Sequence, residues 1–344
     1  MNKVVVPVVL LVLSLAGCSA PQTVALRKAP AADNAGIVEL RDVPFLSQDA
    51  QHGGPAALAM MLVQSGRKVT LADIAARLQV PDDPDVLAVA LAAEARRQGR
   101  VVYSIAPTLD SVLTAIHQGY PVLVLQNRGI SLVPLWRYAV VIGADRAHEV
   151  FWLRSGSTER LAMSFASFER AWGRANHFGF LIMDPAAIPD NLEPRAVIRE
   201  LALMEQAGAA TDAQAGFNRA LLNWPEQKTA WLGLASSSMQ LGQIDRAESV
   251  LRELVRREPG YGAGLNNLAD LLLRTGRPLE ALPFAERAVR VLDIPETRAT
   301  LAAAHQALEP IQSEALPAEP GDITPADIRS AMPGSSTSGR SRSK

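Results

Sequence analysis

Residues spaced 34 apart constrain this chain more than anything else in it. Gly208, Gly242 and Gly276 share that interval, and so do Ala213, Ala247 and Ala281. Pro225 and Pro259 follow it, as do Trp231 and Leu265. A period of this length fits one helix–turn–helix hairpin per repeat. Glycine takes the turn between the two helices, and a small alanine lets them approach closely. Proline ends the second helix because it has no amide hydrogen to donate. The units run about 194–227, 228–261 and 262–295, with Asp293 where a third proline is expected. A closing helix over about 296–308 caps the stack. One hairpin cannot bury its apolar face alone, so about three stacked units are the minimum for stability.

This pattern resembles tetratricopeptide repeats. It is clearest in the middle unit, at Trp231, Leu234, Gly242, Ala247 and Pro259, and the first unit diverges in its opening helix. The resemblance implies an all-α domain with a concave surface that takes a helix or extended segment of another protein. Residues 309–344 are rich in Pro, Ser, Glu and Gly and end in "GRSRSK", a composition that predicts disorder.

The N-terminus reads as an address. "MNK" supplies positive charge, and the apolar run "VVVPVVLLVLSLAG" is too short to span a bilayer comfortably. It ends in Leu15-Ala16-Gly17-Cys18, which resembles the bacterial lipobox. The resemblance implies a signal peptide over 1–17 and a lipid on Cys18. Ser19, in place of an aspartate, implies an outer-membrane lipoprotein facing the periplasm. Several acyl chains hold firmly where one holds weakly, at about 0.8 kcal/mol per buried methylene. Residues 18–36 are Ala- and Pro-rich and read as a flexible tether. Cys18 is the only cysteine, so disulfides and thiolate catalysis are both excluded once it is acylated.

Between tether and repeats, about 37–187, helical patterns come first: Pro55 to Gly66, "TLADIAARLQV" with Thr70 and Asp73 in capping-box spacing, and "DPDVLAVALAAEARRQG". "VVYSI" and "PVLVLQN" read as strands around the helix "TLDSVLTAIHQG". Four β-like segments follow, "WRYAVVIGAD", "EVFWLRSG", "TERLAM" and "FGFLIMD", interrupted by the helix "SFASFERAWGR". Helices first and an antiparallel sheet later predict an α+β domain.

The segment "QDAQHGGPAAL", Gln48 to Leu58, together with "RYAVVIG" resembles the papain-like cysteine peptidases that cleave bacteriocin leaders after a double glycine. The resemblance covers roughly residues 40–185 and includes lipoprotein members fused to tetratricopeptide repeats. In that family a Gln donates to the oxyanion, and a Cys at a helix N-terminus is the nucleophile, its thiolate favoured by the helix dipole. A His opening a later strand is the base. Gln48 matches, but Gly53 stands in the Cys position and Arg137 in the His position. The third member belongs near Trp152–Gly156, which holds no carboxylate. Glycine has no side chain, and arginine cannot serve as a general base. Comparable losses in a serine-protease triad cost on the order of 10⁶ in rate. The chain thus reads as a peptidase-like frame without its catalytic residues.

Such a frame can still bind peptide. Gln48, His52, Arg137 and Arg154 are candidate cleft residues, the two arginines for an acidic peptide or a C-terminal carboxylate. Trp136, Trp152 and Trp172 either line that groove or pack in the core. Two other readings stay open: a peptidase working through Ser47, Asp49 and His52, and a repeat scaffold with the peptidase-like domain as spacer. No pair of the five His has metal-ligand spacing, and no cofactor is expected. Charge is nearly balanced at 34 basic and 35 acidic residues, which gives no argument for nucleic-acid binding. The expected partners are a membrane, through the lipid, and a peptide or protein, through cleft and repeats.

Overall fold

The computed structural model describes residues 20–29, 36–47, 53–78, 83–130 and 132–315. Cys18, Gln48, Asp49 and His52 lie outside the described residues. The chain divides into two compact units, one ending at Leu254 and the other beginning at Val255.

The first unit is organised by a seven-stranded antiparallel sheet with the order β2-β7-β3-β4-β5-β6. The strands are β1 Ile37–Glu39, β2 Val101–Ser104, β3 Val122–Asn127, β4 Trp136–Asp145, β5 Val150–Ser155, β6 Thr158–Ser164 and β7 Gly179–Met183. β1 pairs with β4 at Gly143–Asp145, beyond Val141, the last β4 residue paired with β3. A Cβ at Gly143 would sit 2.7 Å from the Val38 carbonyl oxygen and 2.8 Å from the Trp152 ring, so the glycine of "RYAVVIG" is what lets β1 approach.

Both faces of the sheet are covered, and strand alternation sorts the side chains between them. On one face lie α2 Gly53–Gln64, α3 Leu71–Arg77 and α4 Pro84–Arg97. Here Leu58, Met61, Leu62, Leu87 and Leu91 pack with Leu123, Leu125, Tyr138, Val140 and Ile142. On the other lie α1 Pro21–Lys28, α5 Leu109–His117 and α6 Phe165–Gly173. There Val112, Ile116, Phe168 and Trp172 pack with Val122, Val124, Ala139, Val141 and Phe151. The capping box on α3 forms as expected, Thr70 Oγ1 accepting from the Asp73 amide and Asp73 from the Thr70 amide.

Two expectations are corrected. The tether contains a docked helix. Glu169 on α6 accepts from the backbone amides of Gln22 and Thr23 and from Thr23 Oγ1. It thereby caps α1, whose own N-cap Ala20 has no side-chain acceptor. The Gln22 side chain accepts from the Leu109 amide and donates to the Pro107 carbonyl. Composition could not show this, because the cap comes from residues about 146 positions away. The second correction concerns the closing helix, which runs to Ala315 and not to 308; 316–344 lie outside the described residues.

The repeat helices begin with α7 Pro194–Gln206 and α8 Ala210–Asn223, then α9 Lys228–Gln240 and α10 Ile244–Arg257. Gly208 and Gly242 take φ of +90° and +71°, the left-handed turn the period requires. Val197, Leu201, Met204 and Phe217 of the first pair share a core with Val101, Leu181 and Met183 of the sheet. This explains why the first unit diverges: its opening helix packs on strands, not on a preceding hairpin. In the second unit α11 Gly262–Arg274, α12 Pro278–Val291 and α13 Pro295–Ala315 bury Ala269, Ala285 and Ala304 among Leu273, Leu282 and Leu301.

Candidate functional site

The site the sequence points to starts at α2. Its first residues are Gly53, Gly54 and Pro55, and a proline in the first turn costs nothing because that amide needs no partner. No acidic residue sits in this turn, where the helix start carries partial positive charge. Gly53 presents no side chain there, and the preceding Gln48 and His52 are not described.

Strand β4 runs past this helix, and its alternation decides what faces α2. Tyr138 and Val140 pack with α2, whereas Ala139 and Val141 pack with α5 and α6. Arg137 shares the latter face. It stands opposite Gln126, whose side-chain amide reaches Met163 on that same side. Arg137 thus lies on the face of the sheet opposite α2. On the α2 face the corresponding residue is Tyr138, which donates from Oη to the Pro84 carbonyl at 2.7 Å. Burial pushes its phenol well above the usual tyrosine range, and Asp85 and Asp83 add to this. A neutral phenol committed to a carbonyl is no general base.

Arg154 lies on the α2 face, paired with Val140. A single cleft holding both Arg137 and Arg154 is thus corrected: they occupy opposite faces. Arg154 is buried, donating from Nη2 to the Val43 carbonyl at 2.9 Å and from Nη1 to the Glu159 carbonyl at 2.7 Å. Its Nε is buried with no hydrogen-bond partner among the described residues. It lines a cavity of about 540 Å³ with Glu39, Arg41, Glu159 and Arg160. Arg160 binds Glu39 through Nε at 2.7 Å and Nη2 at 3.2 Å and lies 4.3 Å over the Trp152 ring. That pairing holds the Glu39 carboxyl below its ordinary value. Three guanidiniums against two carboxylates leave the cavity a net cation, suited to a carboxylate ligand.

The tryptophans divide. Trp172 is fully buried with its Nε1 on the Phe178 carbonyl, so it is core and lines no groove. Trp152 and Trp136 are partly buried on the α2 face. Ser47 is exposed. Among the described residues no three His, Cys, Asp or Glu side chains converge on a metal-sized site, and no helix is long and apolar enough to cross a membrane.

A feature missed in the sequence lies on the other face. Arg128 donates to Gln126 Oε1 and Ser155 Oγ at 3.3–3.4 Å, and burial with the nearby Arg137 charge pushes it below the ordinary guanidinium value. Arg174 donates to the Asn127 carbonyl at 2.8 Å. None of the three has a carboxylate partner among the described residues.

The tetratricopeptide repeat family matches residues 234–293, from within α9 to the end of α12. No curated protein matches the chain. Solved structures similar to it include one described as a C39-like peptidase from Bacillus anthracis, at 16% identity and a TM-score of 0.36, covering 43% of this chain and 97% of that one. The tetratricopeptide repeat protein YrrB, described as having an unusual peptide-binding site, matches at 19% identity and a TM-score of 0.31, over 35% of this chain and 63% of its own. A tetratricopeptide repeat protein from Parabacteroides merdae matches at 15% identity and a TM-score of 0.32, over 42% of this chain and 53% of its own. The chain thus carries tetratricopeptide repeats, with a C39-like peptidase among its structural neighbours.

Proposed function

We propose that this chain is a lipid-anchored protein of the outer membrane that binds a peptide or partner protein on a peptidase-like domain without cleaving it. The domain spans about 37–187, and the repeats from 194 dock a second protein. One observation carries the inert reading: α2 begins at Gly53, so the helix start that would hold a nucleophile has no side chain, and the only thiol is Cys18. Tyr138, the β4 residue facing α2, is neutral and occupied by Pro84, which supports the same reading. The cavity around Arg154 supplies a place for a peptide carboxylate.

The test uses the purified chain with a random heptapeptide library. Retention of peptides with free C-terminal carboxylates and no cleavage is the expected result. Retention should fall several-fold in Arg41→Glu/Arg160→Glu. Cleavage that stops on His52→Ala would replace this proposal with an active hydrolase. For the anchor, Cys18→Ser should abolish labelling by radioactive palmitate and release the protein from membranes.

A further inference from the structure

The hairpin between β3 and β4 exposes four aliphatic side chains. Ile130 is 64% exposed, Leu132 90%, Val133 68% and Leu135 48%. Four such residues within six positions form an apolar tip, and backbone bonds hold its described residues. Ile130 and Val133 exchange backbone hydrogen bonds at 3.1–3.2 Å. Asn127 Oδ1 accepts from the amides of Gly129 and Leu135 at 3.0 and 2.9 Å. A Cβ at Gly129 would meet the Val133 carbonyl oxygen at 2.2 Å, so only glycine lets the hairpin close.

Directly behind the tip stand Arg128, Arg137 and Arg174, without carboxylate partners among the described residues, and Trp136. An apolar tip backed by arginines and an indole matches the layers of a lipid surface: acyl chains, then phosphates with interfacial aromatics.

Topology gives a second, independent argument. Helix α6 starts at the β4–β5 turn, where the Phe165 amide meets the Glu149 carbonyl, and ends beside Asn127 at the hairpin end. Helix α1 runs the opposite way. Arg27 near its C-terminus pairs with Glu149, while Gln22 near its N-terminus holds Pro107 and Leu109 at the start of α5. The C-terminal end of α5 lies at the β4–β5 side, with His117 Nε2 3.1 Å from the carbonyl of Gly36, next to β1. The start of α5, the start of α1 and the apolar tip therefore share one end of the sheet. The described chain begins at this end, with Ala20 at the start of α1.

We infer that the β3–β4 hairpin tip dips into an anionic phospholipid bilayer surface, with Arg128, Arg137 and Arg174 on its phosphates, so that the domain stands on the membrane in one orientation. The tip contributes its own affinity and does not depend on acylation of Cys18. Where Cys18 is acylated, anchor and tip engage the same surface, and the effective concentration of the tip is high.

The experiment takes the chain from residue 18 with Cys18→Ser, which removes the anchor and the only thiol. Vesicles of phosphatidylethanolamine and phosphatidylglycerol, 3:1 by design, are the probe. Leu132→Cys carries a polarity-sensitive fluorophore; Leu222→Cys on α8, 77% exposed, is the control. Expected is a blue shift with vesicles at position 132 and none at 222. Co-sedimentation should fall about tenfold or more in Leu132→Asp/Val133→Asp and weaken with salt, as screened phosphate contacts require. The thermal midpoint of that variant should be unchanged, because both side chains are exposed. No shift at 132, equal shifts at both positions, or unchanged sedimentation of the double variant would overturn the inference. So would a dimer in vesicle-free solution that the double variant dissociates. Because the anchor is absent throughout, failure of the lipoprotein reading leaves these outcomes unaffected.

Discussion

Two arginines, Arg137 and Arg154, look interchangeable in the sequence and differ completely in the fold. Arg154 sits on the α2 face, buried, clamping two backbone carbonyls. Arg137 sits on the α6 face, half-buried, opposite Gln126, with no side-chain hydrogen bond or ion pair among the described residues. A strand puts neighbouring residues on opposite faces, so a motif matched by residue order can join positions that the sheet separates.

Breaking each contact tests this difference, beginning with the largest effect. Arg154→Met leaves the Val43 and Glu159 carbonyls without their donor and should cost about 2–3 kcal/mol in chemical denaturation. Glu169→Ala removes the cap on α1 and should cost about 1–2 kcal/mol. Hydrogen exchange should then show α1 losing protection before the sheet does.

Glu205 offers the opposite kind of buried carboxylate. It accepts from Ser236 and Gln240 but has no cation beside it among the described residues, and burial pushes its pKa up. Between its unfolded and its raised folded value the native state binds more protons, so stability falls as pH rises through that window. Glu205→Gln should therefore raise the thermal midpoint at pH 7 by about 1–2 °C and flatten the dependence between mildly acidic and neutral pH. The smallest effect is expected for Arg137→Met, within about 0.5 kcal/mol of the parent.

Much of the fold was legible because its signals are local. The repeat period fixed the turns at Gly208 and Gly242, which adopt the left-handed backbone the spacing demands. Short runs rich in β-branched and aromatic residues located β3, β4, β5 and β7, and Thr70 with Asp73 announced α3. What stayed hidden depends on distant partners. The helix in 21–28 exists through Glu169 and Gln22, not through its own periodicity. The candidate site was legible as a position: the segment "GGPAAL" opens α2 at Gly53. It was not legible at Arg137, because the face of a residue on β4 follows from pairing with β3 and from helices packed on either side. Tyr138, one position on in the same "RYAVVIG" segment, is the residue that faces α2.

The separation of Gly53 from residue 137 is tested most directly by giving position 53 a thiol. In a Cys18→Ser background, Gly53→Cys carries the only thiol, and its alkylation rate against pH reports its pKa. The helix start should hold that pKa below about 8.5, the free thiol value. Adding Arg137→His should leave the profile unchanged and produce no peptidase turnover, because the imidazole would stand on the other face of the sheet. A thiol pKa that falls further in the double variant, with peptide cleavage appearing alongside, would contradict the separation.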